Sequence, residues 1–413
     1  MYLIYDFIIH IASLIVGFTG LFHPKLKLFA SGRKRVFPYL EKHITKGDKV
    51  VWMHCASLGE FEQGLPVIEK IKAQYPHYKT LITFFSPSGY EVKKNSDAAD
   101  FITYLPLDTR RNAVRFLEIT QPVLAIFVKY EIWPNFLRTL QRKTIPTLLI
   151  SAIFRPNQLF FKWHGSLMRR ALGAFTHLFV QDEQSKELLQ SIKITRVTVN
   201  GDTRLDRVSE ILERDNTLSF MSQFKQDALC VVAGSTWPED EAVIANYINT
   251  SNAPTKYVIA PHKIIPEKIN GLKNSLQKKT ILYSELSKKT IEDYDVLILD
   301  TIGLLTKVYS YADTAYVGGG FATGLHNTLE PAVFGIPVII GPRYSGFKEV
   351  ADLVALQGVF SINNATDFSE LMDRFLAHTS FRKTAGQANA TYILQNKGAS
   401  SKISSFTNTL LLP

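Results

Sequence analysis

The chain has 413 residues, 46% hydrophobic and 20% charged, which is too long for one ordinary core and too apolar for a disordered protein. Lys and Arg outnumber Asp and Glu by 47 − 37 = 10, favouring an anionic partner: phosphates, nucleic acid or an acidic membrane face. Cys55 and Cys230 are the only cysteines, which excludes a disulfide framework and points to a reducing compartment, and no zinc-ligand spacing, RNP-like aromatic run or basic zipper supports nucleic acid.

The stretch from Phe7 to Phe22 carries no formal charge, and Lys25, Lys27, Arg33, Lys34 and Arg35 follow it. A secretory signal has its positive residues before the apolar run and a small-residue cleavage site after it, and neither is present. The run is near the lower limit for a span of roughly 20 residues. It is expected to be a tilted anchor or an in-plane helix, held by the basic cluster to anionic lipid on the cytoplasmic side. The alternative is a helix packed on the protein's own core.

From Lys49 the pattern alternates. Strands are expected at Lys49–His54, Thr80–Phe85, Phe101–Leu105, Val123–Val128, Pro146–Ile150, His177–Val180 and Val197–Asn200, with helices between them. A second series runs through Ala228–Gly234, Lys256–Ala260, Thr280–Tyr283, Val296–Asp300, Thr314–Val317 and Pro337–Ile340. This alternation implies an α/β protein of two doubly wound Rossmann-like domains, with ligands at the carboxyl ends of the strands, in a cleft the two domains face. The expected division is 1–35 for the anchor and basic segment, 36–202 for the first domain and 203–413 for the second, with the last helix packing back on the first.

Candidate chemistry lies just after strands. In the first half, His54-Cys55-Ala56-Ser57-Leu58-Gly59-Glu60 passes from strand to helix. Glu60 suits a general base, since a partly buried carboxylate can take a proton from an attacking hydroxyl. A charge stabilised by the helix dipole is the competing explanation. Thiol catalysis by Cys55 beside His54 is disfavoured, because neighbours on a strand point to opposite faces. Glu131, in Tyr130-Glu131-Ile132-Trp133-Pro134, is a second carboxylate at a strand end or an ordinary cap-region acid.

In the second half, Ser235 and Thr236 offer hydroxyl and amide donors at a helix start, and Pro261-His262-Lys263 follows another strand. The densest stretch is Val317 to Pro342. Gly318, Gly319 and Gly320 would let backbone N–H groups approach an anion, Asn327 would cap a helix over Thr328–Phe334, and Glu330 would take a ribose hydroxyl. Asp293-Tyr294-Asp295 has the spacing of some metal-dependent sugar transferases but stands at a strand entry, so no metal is expected.

These elements occur in order: His54-x-Ala56-Ser57-x-Gly59-Glu60, Tyr130-Glu131-x-Trp133-Pro134, Gly234-Ser235-Thr236, Pro261-His262, Asp300-Thr301-x-Gly303 and Gly318-Gly319 through His326-Asn327-x-Leu329-Glu330-Pro331. Together the chain resembles the 3-deoxy-D-manno-octulosonic acid (Kdo) transferases of lipid A biosynthesis. The resemblance implies a GT-B fold and inverting transfer from CMP-Kdo to a hydroxyl of a lipid A precursor at the cytoplasmic face of the inner membrane. It implies Glu60 as base, Glu131 as a second acid, and Ser57 and Gly59 on the acceptor side. The donor segments would be Ser235-Thr236, Pro261-His262, Ile302-Gly303-Leu304, Gly318 to Gly320 and His326-Asn327-Thr328-Leu329-Glu330. Leu304 stands where an acid is common, and Thr328 where Pro is usual. The rival readings are a transferase or epimerase using a UDP-sugar, and a membrane-docked nucleotide sensor without turnover.

Overall fold

The computed structural model describes residues 1–19, 22–288, 290–322 and 324–411. It divides into one unit of residues 1–207 and 397–413 and another of residues 208–396.

In the first unit, β1 (Val50–Cys55), β2 (Lys79–Phe84), β3 (Phe101–Tyr104), β4 (Pro122–Val128), β5 (Thr147–Ala152), β6 (His177–Val180) and β7 (Val197–Val199) form one sheet. The order is β3-β2-β1-β4-β5-β6-β7, and every pair is parallel. Strands such as Val50–Cys55 are buried throughout, as expected of runs covered on both faces. In the second unit, β8 (Leu229–Thr236), β9 (Thr255–Pro261), β10 (Thr280–Leu282), β11 (Val296–Ile298), β12 (Thr314–Val317), β13 (Val338–Ile340) and β14 (Val359–Ser361) order as β10-β11-β9-β8-β12-β13-β14. The direction of winding reverses at β1 and at β8, so β1/β4 and β8/β12 are the switch points where open α/β sheets bind ligands.

The first unit runs on past residue 202. Thr203 Oγ1 donates to Gln63 O at 2.6 Å, and Gln63 Nε2 donates to Asp202 Oδ1 at 3.3 Å, so the turn at Asp202 is fastened inside the unit. The final helix, Ala399–Thr407, lies on the helix that follows β1, Leu58–Gln74, with Ile403 and Leu411 in the same core as Val51, Ile68 and Ile126.

The N-terminal segment is part of the first unit. It comprises α1 (Tyr2–Thr19), α2 (Pro24–Lys34) and α3 (Val36–His43), with Gly20 and Leu21 of the apolar run outside the described residues. Among the described residues no helix is long and apolar enough to cross a membrane. Asp6 interrupts the apolar character of α1, and the helix docks by its polar side: Tyr5 Oη donates to Asp108 at 2.9 Å, and Asp6 accepts from the Arg110 amide at 2.7 Å. The other side, Ile4, Phe7, Ile11, Leu14 and Phe18, is exposed, Leu14 to 76%. That apolar side is not packed on the protein's own core.

Asp108 also accepts from the amides of Asn135 and Phe136 at 3.0 and 2.9 Å, capping the next helix. Burial nonetheless drives its carboxyl from 3.8 up to about 7, with Asp6 adding repulsion. An acid raised in the fold keeps a proton that the unfolded chain releases. The stability this group contributes is therefore lost as pH rises from about 3.8 to about 7, then stays level. Wild-type melting should fall relative to Asp108→Asn across that window, and parallel curves would contradict the assignment.

Candidate functional site

At the first switch point, β1 ends at Cys55 and the chain turns through Ser57, the N-cap of α4 (Leu58–Gln74). Ser57 and Glu60 have capping-box spacing, yet the Ser57 hydroxyl donates to Glu60 Oε2 instead of accepting from the backbone. Glu60 is half-buried on the first helical turn. Gly59 leaves its approach open, since a Cβ there would meet only Ser57 Oγ at 3.9 Å.

The strand alternation sends Cys55 and His54 to opposite faces. Cys55 is buried, and burial, with Glu60 and Glu131 nearby, pushes its thiol well above the usual range. It is not poised as a thiolate nucleophile. His54 Nδ1 lies 2.9 Å from Thr83 Oγ1, a hydroxyl that also accepts from the Trp52 indole at 2.8 Å. His54 Nε2 lies 3.0 Å from Glu131 Oε2, which accepts from the Trp133 indole at 2.9 Å. The two carboxylates thus differ in kind. Glu131 is fixed by two ring nitrogens, while Glu60 is held by one short hydroxyl and keeps an oxygen for a ligand. His54 and Trp133 stood in the quoted motifs but were given no role of their own; the strand parity that sets His54 on the face of β1 opposite Cys55 was its signal.

At the second switch point, Ser235 takes a left-handed backbone, φ 55°, where the pairing with β9 slips between Gly234 and Thr236. This bulge turns the chain into the helix Pro238–Thr250. The Ser235 hydroxyl is half-exposed and has no partner among the described residues. Thr236 turns inward instead, donating to Glu241 at 3.0 Å, so its hydroxyl is already engaged.

Three rings stack at this edge. Trp237 lies on His262 with centroids 4.8 Å apart, His262 lies on His326 at 4.4 Å, and the Trp237 indole donates to His326 Nε2 at 3.1 Å. Lys263 Nζ sits 5.0 Å over the Trp237 ring. Burial lowers both histidines from 6.5, and Lys263 beside His262 and His262 beside His326 lower them further. A depressed histidine stabilises the fold above its unfolded pKa and loses that contribution as pH falls through the folded value. Stability of the second unit should therefore decline below pH 6.5. His326→Gln, which keeps an acceptor for Trp237, should flatten the decline; an unchanged profile would count against it.

The glycine loop is built around a residue the motif reading passed over. Buried Asp240 accepts from the Gly319 amide at 2.9 Å, the Trp237 amide at 2.9 Å and the Tyr316 hydroxyl at 2.7 Å. The Gly318 amide donates to Gly234 O at 3.0 Å. Two of the three glycine amides are therefore internal hydrogen-bond donors. Gly320 keeps an N–H with no partner among the described residues. The loop needs glycine for close approach: a Cβ on Gly318 would fall 2.4 Å from Ser235 O, and one on Gly320 2.7 Å from Gly341 Cα.

The expected helix over Thr328–Phe334 has a single regular turn, Leu329–Ala332, after which the Phe334 N–H donates to Pro331 O, the Gly335 N–H donates to Ala332 O and Gly335 turns left-handed at φ 69°. Asn327 Oδ1 accepts from the Leu329 amide at 3.1 Å, and its Nδ2 donates to Glu330 at 3.0 Å. Thr328 and Leu329 are buried, so their side chains do not line the surface. Glu330 also accepts from Thr306 at 2.9 Å, which brings the segment after Leu304 beside it. Ile302 is 88% exposed, and Gly303 takes a positive φ of 96°. Pro261 ends β9, and the following His262 amide donates to Thr236 O at 2.9 Å. Among the described residues no three His, Cys, Asp or Glu side chains gather as a metal site.

The sequence model of the 3-deoxy-D-manno-octulosonic-acid transferases (kdotransferases) matches residues 31–207, which include β1, β4 and both carboxylates. The chain is 28% identical to the 3-deoxy-D-manno-octulosonic acid transferase of Haemophilus influenzae over 407 residues, 94% of this chain and 93% of that one. It is 28% identical to the enzyme of that name from Chlamydophila psittaci over 375 residues, 88% and 86% of the two chains. In fold it is similar to UDP-GlcNAc 2-epimerase from Neisseria meningitidis, with TM-score 0.62 and 17% identity over 87% of this chain and all of that one. Over nearly its whole length the chain is similar to 3-deoxy-D-manno-octulosonic acid transferases, and it is a glycosyltransferase with the two-sheet GT-B fold.

Proposed function

We propose that the chain moves Kdo from CMP-Kdo to a hydroxyl of a lipid A precursor, with inversion at the anomeric carbon. The observation that carries this reading is the unequal pair at the first switch point: Glu131 tied to His54 and Trp133, and Glu60 tethered only by Ser57. Glu60 removes the proton of the attacking hydroxyl as the bond to the anomeric carbon forms. Charge develops on an oxocarbenium-like sugar and on the departing CMP phosphate. Glu131 positions the acceptor, with Ser57 and Gly59 beside it.

The donor side draws on Ser235, the Gly320 N–H, Lys263 and the His262–His326 rings for phosphate and base, and on Glu330 with Asn327 for the ribose. These donors supply the stabilisation of the leaving group, and no metal is invoked. We propose also that α1 lies in the plane of the inner membrane at its cytoplasmic face. Its exposed Ile4, Phe7, Ile11, Leu14 and Phe18 would enter the lipid, and Lys27 and Lys34 would meet anionic headgroups.

Mass spectrometry of the product formed from CMP-Kdo and a lipid A precursor tests the reaction. A mass gain of one or more Kdo units is expected. Turnover of a UDP-sugar in its place, or nucleotide binding with no product, would overturn it.

A further inference from the structure

A cavity of about 260 Å³ in the first unit lies between α1, α2 and the loop after β3. Arg33 and Lys34 are its charged wall, and among the described residues no acidic side chain lines it. The Arg33 guanidinium donates from Nη1 to Phe29 O at 3.1 Å and from Nη2 to Phe85 O at 2.7 Å. It lies 3.5, 4.8 and 5.3 Å from the rings of Phe29, Phe85 and Tyr104. Gly32 permits this approach, since a Cβ there would come within 2.2 Å of Tyr104. Its Nε is buried with no hydrogen-bond partner, and no carboxylate pairs with it among the described residues.

A buried cation without a counter-charge is costly, and arginines in such settings are ordinarily paired. Burial pulls this guanidinium down to about 9, which still leaves it charged at neutral pH. Two carbonyls and three ring faces meet part of the demand. An anion would meet the rest.

We infer that this cavity takes the phosphate group of an acylated lipid, with the Arg33 guanidinium as the cation in its wall and Lys34 as the second. Guanidinium is the side chain best shaped for a phosphate's oxygens. The lipid source follows from the neighbouring surface. Ser13 and Val16 of α1 line the cavity, and Leu14, Ile15 and Phe18 on the same turns are exposed and apolar. A headgroup seated here has its chains beside that stripe, a flank that free phosphate does not need. The lipid half of this assignment rests on the in-plane placement of α1 proposed above, and the anion half does not.

The test is co-sedimentation of the full chain with phosphatidylcholine vesicles, with and without phosphatidic acid, and with inorganic phosphate as competitor. Phosphatidic acid should tighten partitioning about tenfold, the order of one charge-assisted hydrogen bond. Arg33→Gln should remove most of that gain, leaving the share owed to Lys27 and Lys34, and leave partitioning to pure phosphatidylcholine unchanged. Ala30→Leu, which fills the cavity without altering its charge, should do the same, and covers the case in which Arg33→Gln does not fold. A full gain in either folded variant overturns the site. Complete competition by inorganic phosphate overturns the lipid half. A gain from phosphatidic acid without affinity for pure phosphatidylcholine shows that the α1 placement has failed while the anion site stands.

Discussion

Glu60→Gln should lower turnover by roughly two to four orders of magnitude, the usual contribution of a general base, with melting behaviour and CMP affinity close to wild type. The isosteric amide keeps the geometry at the start of α4, and its carbonyl still accepts from the Ser57 hydroxyl that Glu60 accepts from. What disappears is the capacity to take a proton. Ser57→Ala is the companion variant: it frees the carboxylate and should cost far less, about tenfold, the scale of one hydrogen bond. The measurement is initial rate of labelled Kdo transfer at saturating CMP-Kdo. Near-normal turnover in Glu60→Gln would remove it from the base role and direct attention to Glu131.

The second large effect concerns stability. Asp240→Ala should destabilise the second unit by roughly 3–5 kcal/mol, since it strands several buried donors at once. The Trp237 amide, the Gly319 amide and the Tyr316 hydroxyl all lose their acceptor. Tyr316→Phe removes a single donor instead and should cost about 1 kcal/mol. Nucleotide affinity should fall with Asp240→Ala too, because Trp237 then loses the anchor that sets it against His262. Urea denaturation of the full chain reads the first effect and CMP titration the second. A loss below about 1 kcal/mol would show that water or neighbouring groups replace the carboxylate.

Thirteen of the fourteen strands were legible because each is a short apolar run, rich in β-branched and aromatic residues, set between helical stretches. The exception, Val359–Ser361, is an edge strand of three residues, too short to show a period. The strand-end motifs were also readable, as the alternation of strand and helix places them at one end of each sheet. What lay beyond reach was pairing across sequence distance. His54 and Glu131 are 77 positions apart, and nothing local couples them. Asp240 and Gly319 are separated by 79, so the acceptor behind the glycine loop could not be told from an ordinary helix-start acid. The helix expected after Asn327 fell short for a local reason visible in hindsight: the chain tightens toward Gly335, whose left-handed φ of 69° ends it.

The first core is assembled from two stretches with residues 208–396 encoded between them. On the ribosome, Ile71, Tyr75 and their neighbours on α4 emerge long before the segment that covers them, which includes Ile403 and Asn408. The nascent first unit must therefore wait, with an apolar flank unsealed, while the whole second unit is translated and is free to fold. Deletions of the closing helix would thus be felt far back in the chain, along the helix that carries Glu60 and the strands beneath it.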